Sequence, residues 1–212
     1  MIRNIIFDLG GVLINLDMEA TAKAFRALGM TDFDAHYSQA KQSGLFDAFD
    51  KGQITPQEFR DGMKPFLPAG TTDAQIDEAW NAMLLDLPAE RLALLRELRK
   101  KYRLFLLSNT NEIHVTAFSA SLQQAHEGFT DFSEYFDRWY YSCRIGKRKP
   151  DAEAFLHVLE ENHLLAEETL FIDDSKQHVE GALQTGIHAV LLDVHGGEEI
   201  TGFLRKHPAL SE

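Results

Sequence analysis

The amino-acid sequence predicts an α/β protein: a Rossmann-like parallel sheet flanked by helices, with an α-helical segment inserted after the first strand. Short, continuous apolar runs are typical of strands that are buried on both faces of a parallel sheet. Four such runs occur in the 212 residues, at positions 5–7, 104–107, 170–172 and 189–192. Helical patterns precede the last three runs, so strands and helices alternate as in right-handed βαβ units.

Each of these three helical patterns is set by apolar residues three or four positions apart, which is the spacing of one helix face. The residues are Leu92, Leu95 and Leu98; Phe155, Val158 and Leu159; and Val179, Ala182 and Leu183. Gly186 follows the last pattern and is suited to ending that helix.

The gap between the first and second runs is too long for one crossover and has a helical pattern over most of its length. Thr55 and Glu58 form a capping-box sequence with Pro56 at the first helical position. Further apolar stripes predict a small helical bundle; they comprise Ala20, Ala24, Phe25 and Leu28; Phe59, Met63 and Phe66; and Ile76, Trp80, Met83 and Leu84. We therefore predict a core domain of residues 1–15 and 88–212 and a helical cap of residues 16–87.

Composition and charge limit the classes of partner. The chain has 44% hydrophobic residues, one cysteine (Cys143) and a net charge of -12. A single cysteine excludes an internal disulfide and, with no signal-peptide pattern or membrane-spanning run, predicts a cytoplasmic protein. The acidic balance argues against nucleic acid or a membrane surface as the main partner, but a small phosphorylated molecule remains compatible.

Polar side chains follow three of the four predicted strands. Asp8 ends the first run before Gly10 and Gly11, Ser108 and Asn109 end the second, and Asp173 and Asp174 end the third. The carboxyl ends of parallel strands share one edge, so we expect these groups to converge there. Asp8 is then a nucleophile or metal ligand, the acids together suit Mg²⁺, and Ser108 and Asn109 suit phosphate oxygens. The alternative is that each group caps a turn or helix.

A basic cluster, residues 146–150, lies between the second and third runs of this acidic chain. A lysine from it could neutralise the charge of a bound phosphate. Taken alone, the cluster is more typical of a solvated loop.

Together these segments resemble the four motifs of the haloacid dehalogenase-like hydrolase superfamily, in order and over essentially the whole chain. The matching segments are residues 7–12 (Phe-Asp-Leu-Gly-Gly-Val), 107–110 (Leu-Ser-Asn-Thr), 146–151 (Gly-Lys-Arg-Lys-Pro-Asp) and 171–175 (Phe-Ile-Asp-Asp-Ser). The insertion resembles the cap that this family places after its first motif. The nearest subgroup includes bacterial α-glucose-1-phosphate phosphatases and the phosphatase domain of soluble epoxide hydrolases.

The resemblance implies a phosphatase that uses Mg²⁺. Asp8 would be the nucleophile that forms an aspartyl-phosphate, and Lys149 and Ser108 would bind the phosphate oxygens. The metal would be held by Asp8, the backbone carbonyl of Gly10 and Asp174. Asp173 would lie beside the ligands without binding the metal.

Two positions depart from the family pattern. Phosphatases of the superfamily usually carry an acid/base aspartate two residues after the nucleophile, where this chain has Gly10. His178 stands where asparagine is usual, four residues after Asp174; it could orient Asp174, relay a proton or bind metal, and we favour a contact with the ligands. The calcium-loop spacing at residues 47–52 is rejected, because Phe49 and Lys51 replace oxygen ligands.

The predicted function is thus hydrolysis of a small phosphorylated metabolite, with sugar phosphates as the leading class and a monomer or small homo-oligomer as the assembly. Two alternatives stay open. One is a 2-haloacid dehalogenase, whose chemistry has no use for the acidic pair at Asp173 and Asp174. The other is a non-catalytic phosphometabolite-binding protein, which Gly10 keeps plausible.

Overall fold

A computed structural model describes residues 1–30, 33, 35 and 44–206. Residues 31, 32, 34 and 36–43 of the predicted cap, and 207–212 of the predicted core, lie outside the described residues. No helix in the described ranges is both long and apolar enough to span a membrane.

Within the described ranges, five parallel strands form one sheet in the order β3-β2-β1-β4-β5. They are β1 (Asn4–Phe7), β2 (Arg103–Ser108), β3 (Arg138–Tyr141), β4 (Thr169–Asp173) and β5 (His188–Leu191). This sheet confirms the predicted fold class. The central strand β1 pairs Phe7 with Leu106 on one side and Ile172 on the other, so β1, β2 and β4 end at the same level.

The strand β3 was not among the predicted runs. Its four residues, Arg138, Trp139, Tyr140 and Tyr141, do not form a continuous aliphatic run, and the strand lies at the edge of the sheet, where one side needs no partner strand.

Ten helices are described, together with 3₁₀ turns at Lys64–Phe66, Phe132–Glu134 and Ala166–Glu168. The helices are α1 (Met18–Ala27), α2 (Leu45–Asp50), α3 (Pro56–Met63), α4 (Asp73–Asn81), α5 (Ala89–Leu98), α6 (Glu112–Ala125), α7 (Ser142–Ile145), α8 (Ala152–Glu161), α9 (Lys176–Leu183) and α10 (Ile200–Lys206). The capping box of α3 is formed as predicted. Met83 and Leu84, predicted to continue the stripe of α4, lie beyond its end.

Alternation along β1 places its side chains in two separate apolar cores. Ile5 and Phe7 lie in the core with Leu106, whereas Ile6 packs on the opposite face with Phe171. Both faces of β1 are therefore buried, which explains the continuous apolar run from Ile5 to Phe7.

The helices between β1 and β2 have their own core, in which aromatic rings predominate. Phe49 stacks on Phe59 with ring centroids 4.3 Å apart, and Phe59 contacts Trp80 at 4.8 Å. Two adjacent segments connect these helices to the sheet: Asn15 donates to the Asp86 carbonyl at 2.8 Å, and Leu85 donates to the Asn15 carbonyl at 3.0 Å. The predicted cap boundaries lie next to this pairing and stay a prediction.

Candidate active site

The carboxyl ends of β1, β2 and β4 bring the predicted polar residues to one edge of the sheet. Asp8 follows β1, while Ser108 and Asp173 are the last residues of β2 and β4. All three are buried: 7% of Asp8, 3% of Ser108 and none of Asp173 is exposed. Because charged groups are costly to bury without partners, the contacts of these aspartates define the site.

Lys149 lies between the two buried carboxylates. Its Nζ donates to Asp8 Oδ1 at 2.7 Å and to Asp173 Oδ2 at 2.6 Å, and its side chain is fully buried. The interpretation of residues 146–150 as a solvated loop is therefore wrong at Lys149. A buried lysine paired with two carboxylates is typical of a site that positions charge for chemistry.

Asn109 holds the backbone of Lys149 from both sides. The Asn109 Nδ2 donates to the Lys149 carbonyl at 2.8 Å, and Asn109 Oδ1 accepts from the Lys149 N–H at 2.9 Å. The peptide bond from Lys149 to Pro150 is cis. This geometry favours positioning of Lys149 as the role of Asn109; its predicted contact with phosphate stays a prediction.

Two further groups, the Ser175 N–H and the His178 ring, hold Asp173 in place. Its Oδ1 accepts from the Ser175 N–H at 2.7 Å, and His178 Nδ1 lies 3.0 Å from both carboxylate oxygens. His178 thus contacts Asp173, not the Asp174 that the four-residue spacing pointed to. The helix α9 begins directly after Ser175, so the bond from the Ser175 N–H fixes Asp173 at the entrance to this helix.

Asp174 packs against the glycine pair that follows β1. A Cβ added to Gly11, whose φ is +74°, would lie 2.1 Å from Asp174 Oδ2. Only glycine allows this backbone to approach the carboxylate so closely. Gly11 therefore lets Asp174 approach the loop that also contains Gly10, whose carbonyl is a predicted metal ligand.

The three acids fit a hard divalent cation. Asp8, Asp173 and Asp174 each offer a carboxylate oxygen, and these oxygens lie within 4.8 Å of one another. Oxygen-only donor sets at short separation suit Mg²⁺. Among the described residues, the three carboxylates outnumber the one lysine that contacts them, Lys149, so a divalent ion would balance the local charge.

The pKa values show how strongly these groups interact. Burial raises the pKa of Asp8 to about 6, against the opposing effect of the Lys149 ammonium. Burial also raises the pKa of Asp174, and the charge of Asp173 adds to this increase. For Asp173, Lys149 and His178 outweigh burial and hold the pKa below its usual range. The site therefore favours added positive charge at Asp8 and Asp174.

Two residues that sequence reasoning did not find position the loops of the site. Ser142 Oγ accepts from the Thr110 N–H at 2.9 Å and donates to the Thr110 carbonyl at 3.0 Å. The buried Arg91 donates through Nη1 to the Leu13 carbonyl at 2.9 Å and pairs with Glu199. A lone serine and a lone arginine carry no sequence pattern that would have identified them.

The helical segment contacts the core next to Lys149. Arg148 pairs with Asp47 at 2.7 Å and with Asp50 at 3.8 Å. A Cβ at Gly52 would lie 2.0 Å from the Cys143 carbonyl oxygen. Residues 47–52, rejected as a calcium loop, thus form part of the contact between the helices and the core beside this edge of the sheet.

A cavity of about 70 Å³ lies between the helices and this edge. Gly10, Ser108, Asn109 and His114 line it from the core side. Leu16, Met83 and Leu84 line it from the connecting segments. The cavity therefore adjoins both the loop after Asp8 and the predicted phosphate-binding residues.

Comparisons with known proteins agree with this geometry. The sequence model of haloacid dehalogenase-like hydrolases matches residues 2–186. A D-ribitol-5-phosphate phosphatase of Bacteroides thetaiotaomicron is 32% identical over 179 residues, which cover 84% of this chain and 86% of that protein. A crystal structure of a HAD family enzyme from the same organism, in complex with magnesium and inorganic phosphate, superposes with a TM-score of 0.81 at 39% identity, covering 90% of this chain and 94% of that one.

A more distant structure shares the fold alone. L-2-haloacid dehalogenase from Xanthobacter autotrophicus superposes with a TM-score of 0.60 at 18% identity, covering 91% of this chain and 78% of that one.

Proposed function

Because the chain belongs to the haloacid dehalogenase-like hydrolase family and is a phosphatase, we propose that it hydrolyses a small phosphorylated metabolite, most favourably a sugar phosphate, through an aspartyl-phosphate on Asp8. One observation carries this proposal: Lys149 is buried between Asp8 and Asp173, with Asp174 close to both acids.

Asp8 is proposed to act as the nucleophile. A carboxylate oxygen of Asp8 attacks phosphorus, the bond from phosphorus to the ester oxygen breaks, and water then hydrolyses the resulting acyl phosphate. The 2.7 Å contact with Lys149 fixes the orientation of the Asp8 carboxylate before substrate binds. Such pre-organisation lowers the cost of reaching the attack geometry.

Asp8, Asp174 and the carbonyl of Gly10 are the groups proposed to hold Mg²⁺. A bound magnesium ion supplies positive charge that offsets the repulsion between the phosphate and the Asp8 carboxylate. Asp173 and His178 are proposed to act on these ligands indirectly, since Asp173 pairs with Lys149 and His178 pairs with Asp173.

Lys149 and Ser108 are proposed to bind the phosphate oxygens. Lys149 is the only cation in direct contact with Asp8 among the described residues, and its charge stabilises the transferring group as negative charge shifts in the transition state. Ser108 adds a hydroxyl from the neighbouring strand. Asn109, also predicted as a phosphate ligand, supports Lys149 by fixing its backbone.

The sugar-phosphate class is supported by the relatives and by the helical segment. The Bacteroides relative is named for a pentitol phosphate, and residues 16–87 are proposed as the cap that surrounds the organic part of the substrate. A second candidate function is that of a phosphometabolite-binding protein without efficient turnover. Gly10 favours it, because the usual acid/base carboxylate is missing at this position.

The test is a phosphate-release screen over sugar, polyol and aryl phosphates, with Mg²⁺ and with chelator, beside a chloride-release assay on 2-chloropropionate. We expect Mg²⁺-dependent phosphate release and no chloride release. Asp8→Asn should reduce turnover by more than about 10³-fold while its circular dichroism stays that of the wild type. Tight phosphate binding without turnover would favour the binding protein, and chloride release would favour the dehalogenase.

A further inference from the structure

His114 is a buried polar side chain that the proposed mechanism does not use. It lies in the first turn of α6, six residues after Ser108, and only 7% of it is exposed. It lines the cavity that Gly10 and Ser108 also line. It therefore faces the space next to the predicted phosphate site.

The ring of His114 is held in one orientation by the helical segment and the core together. His114 Nδ1 lies 3.1 Å from Asn81 Oδ1, and the ring stacks on Trp80 with centroids 5.3 Å apart and an interplanar angle of 20°. Its backbone N–H donates to Asn111 Oδ1 at 3.1 Å. Few orientations satisfy all of these contacts.

These contacts leave one ring nitrogen of His114 available. Burial lowers the pKa of His114 to about 4, so the ring is neutral at pH 7. With the Asn81 amide oriented as it is, Nδ1 carries the proton and donates to Oδ1, so Nε2 has a free lone pair. No group among the described residues forms a hydrogen bond with Nε2.

We propose that His114 Nε2 accepts a hydrogen bond from a substrate hydroxyl adjacent to the phosphate ester, and so selects sugar and polyol phosphates over alkyl phosphates of equal size. This selection rests on the proposed phosphatase function. His114 is then a specificity-determining residue that contacts the leaving group.

The size and lining of the cavity explain why the selected hydroxyl is next to the ester. The volume of about 70 Å³ is far below the roughly 300–1,000 Å³ of a usual ligand pocket, and corresponds to about two water-sized groups. It therefore holds only the part of a substrate nearest the phosphate, and a longer sugar extends beyond it.

Much of the remaining lining is apolar. These residues are Leu9, Ile14, Leu16, Met83, Leu84 and Phe118. A hydroxyl that enters such a cavity loses its water and needs a protein partner, which Nε2 supplies. A methyl group in the same place would leave Nε2 unpaired, and a site built for a hydroxyl rejects such an analogue.

The test compares 2-hydroxyethyl phosphate with n-propyl phosphate, which have equal numbers of heavy atoms and differ by hydroxyl against methyl. We expect wild type to prefer the hydroxyl compound by about 10-fold in kcat/KM. His114→Phe keeps a ring against Trp80 but removes both nitrogens, so it should lower this ratio of kcat/KM values several-fold.

Two more variants complete the design. Asn81→Leu retains His114 but removes the acceptor that fixes its tautomer, and should also lower the ratio. His157→Phe, on the surface helix α8, should leave the ratio unchanged. Since a ratio of two substrates cancels the fraction of active protein, general damage to the fold does not imitate the effect.

Two results would overturn the assignment of His114. One is that the wild type hydrolyses both phosphates with equal kcat/KM, and the other is that His114→Phe and Asn81→Leu both keep the preference of the wild type. Hydrolysis of neither phosphate, with or without Mg²⁺, counts against the phosphatase function instead. In that case the same ratio is read from dissociation constants by titrating tryptophan fluorescence, since Trp80 stacks on His114. Equal binding of the two phosphates, or binding of neither, overturns the selection.

Discussion

We call the edge of the sheet that carries Asp8, Ser108 and Asp173 the catalytic edge. This edge and the helices between residues 18 and 81 hold their polar groups in different ways. At the edge, Lys149 is fully buried and contacts two carboxylates at 2.6–2.7 Å. On the helical side, Arg148 pairs with Asp47 while 27% and 50% of the two side chains remain exposed. Buried pairs have little freedom to rearrange, whereas exposed pairs are weak and are easily replaced by water.

This contrast separates the chemistry from the choice of substrate. Removing a buried charge at the edge leaves its partners unpaired in a low-dielectric site, so both stability and turnover should suffer. Changes in the helical segment act through a packed aromatic core and a few surface contacts, and should alter substrate binding with less effect on the metal site.

The largest effect is expected for Lys149→Met. The apolar side chain leaves Asp8 and Asp173 facing each other without a cation, which should lower the free energy of unfolding by about 3–5 kcal/mol and turnover by more than about 10³-fold. Urea unfolding and steady-state kinetics measure the two losses. Lys176→Met, where 80% of the side chain is exposed, is the matched control and should change neither. If Lys149→Met stayed active and stable, Lys149 would have neither of these roles.

The next effect concerns the metal. At a Mg²⁺ concentration of 100 times Kd, binding should stabilise the wild type by about 2.7 kcal/mol. Asp174→Asn should lose most of this gain, because one charged ligand becomes a neutral amide. Thermal unfolding with Mg²⁺ and with chelator measures this stabilisation. The control Glu97→Gln, on the exposed end of α5, should be stabilised by Mg²⁺ as much as the wild type. An equal gain in Asp174→Asn would exclude Asp174 as a ligand.

A substitution in the helical segment should have a smaller effect, and should change substrate binding instead of metal binding. Gly52→Ala places a Cβ where the Cys143 carbonyl oxygen lies 2.0 Å away, so residues 47–52 must move off the core. We expect KM to rise about 10-fold, from poorer positioning of the substrate, while the Mg²⁺-induced stabilisation is retained. Gly70→Ala has the same left-handed backbone with open space around it, and controls for backbone strain alone. If Gly52→Ala abolished metal binding, the two regions would not be separable.

The smallest effect is expected at Gly10, where the two regions meet. Gly10→Asp restores the acid/base position, and should flatten the dependence of turnover on the leaving-group pKa by a few-fold, with Gly10→Ala as the control. Gly10 is not among the residues with positive φ, so the obstacle is the Leu16 Cδ1 atom, 2.8 Å from the added Cβ, and not the backbone. Equal rates for good and poor leaving groups in wild type would mean that another residue already supplies the proton.

Much of the sheet and of its catalytic edge was predictable, because strands buried on both faces need continuous apolar sequence. Three of the predicted runs became the central strands β1, β2 and β4. Asp8 directly follows β1, and Ser108 and Asp173 are the last residues of β2 and β4. The edge strand β3 escaped prediction because it needs only one partner strand and carries no such run.

The partners of these residues were less predictable, since they depend on contacts between distant segments. The contact of Asn109 with the Lys149 backbone joins residues 40 positions apart. The pairing of His178 with Asp173 instead of Asp174 does not follow from the four-residue spacing on a helix, because Asp173 and Asp174 lie before α9 begins. His114 follows the Ser108 segment closely, yet its proposed role depends on contacts with Asn81 and Trp80 in the helical segment.

The central claim, that Asp8 is the nucleophile on a rigid catalytic edge, is tested most directly by trapping the covalent intermediate. Turnover is stopped with acid, the protein is treated with borohydride, and the peptide that contains position 8 is analysed by mass spectrometry. We predict that Asp8 alone is reduced to homoserine, in proportion to Mg²⁺-dependent turnover. Turnover with no reduction at Asp8, or with reduction at another carboxylate, would contradict this account.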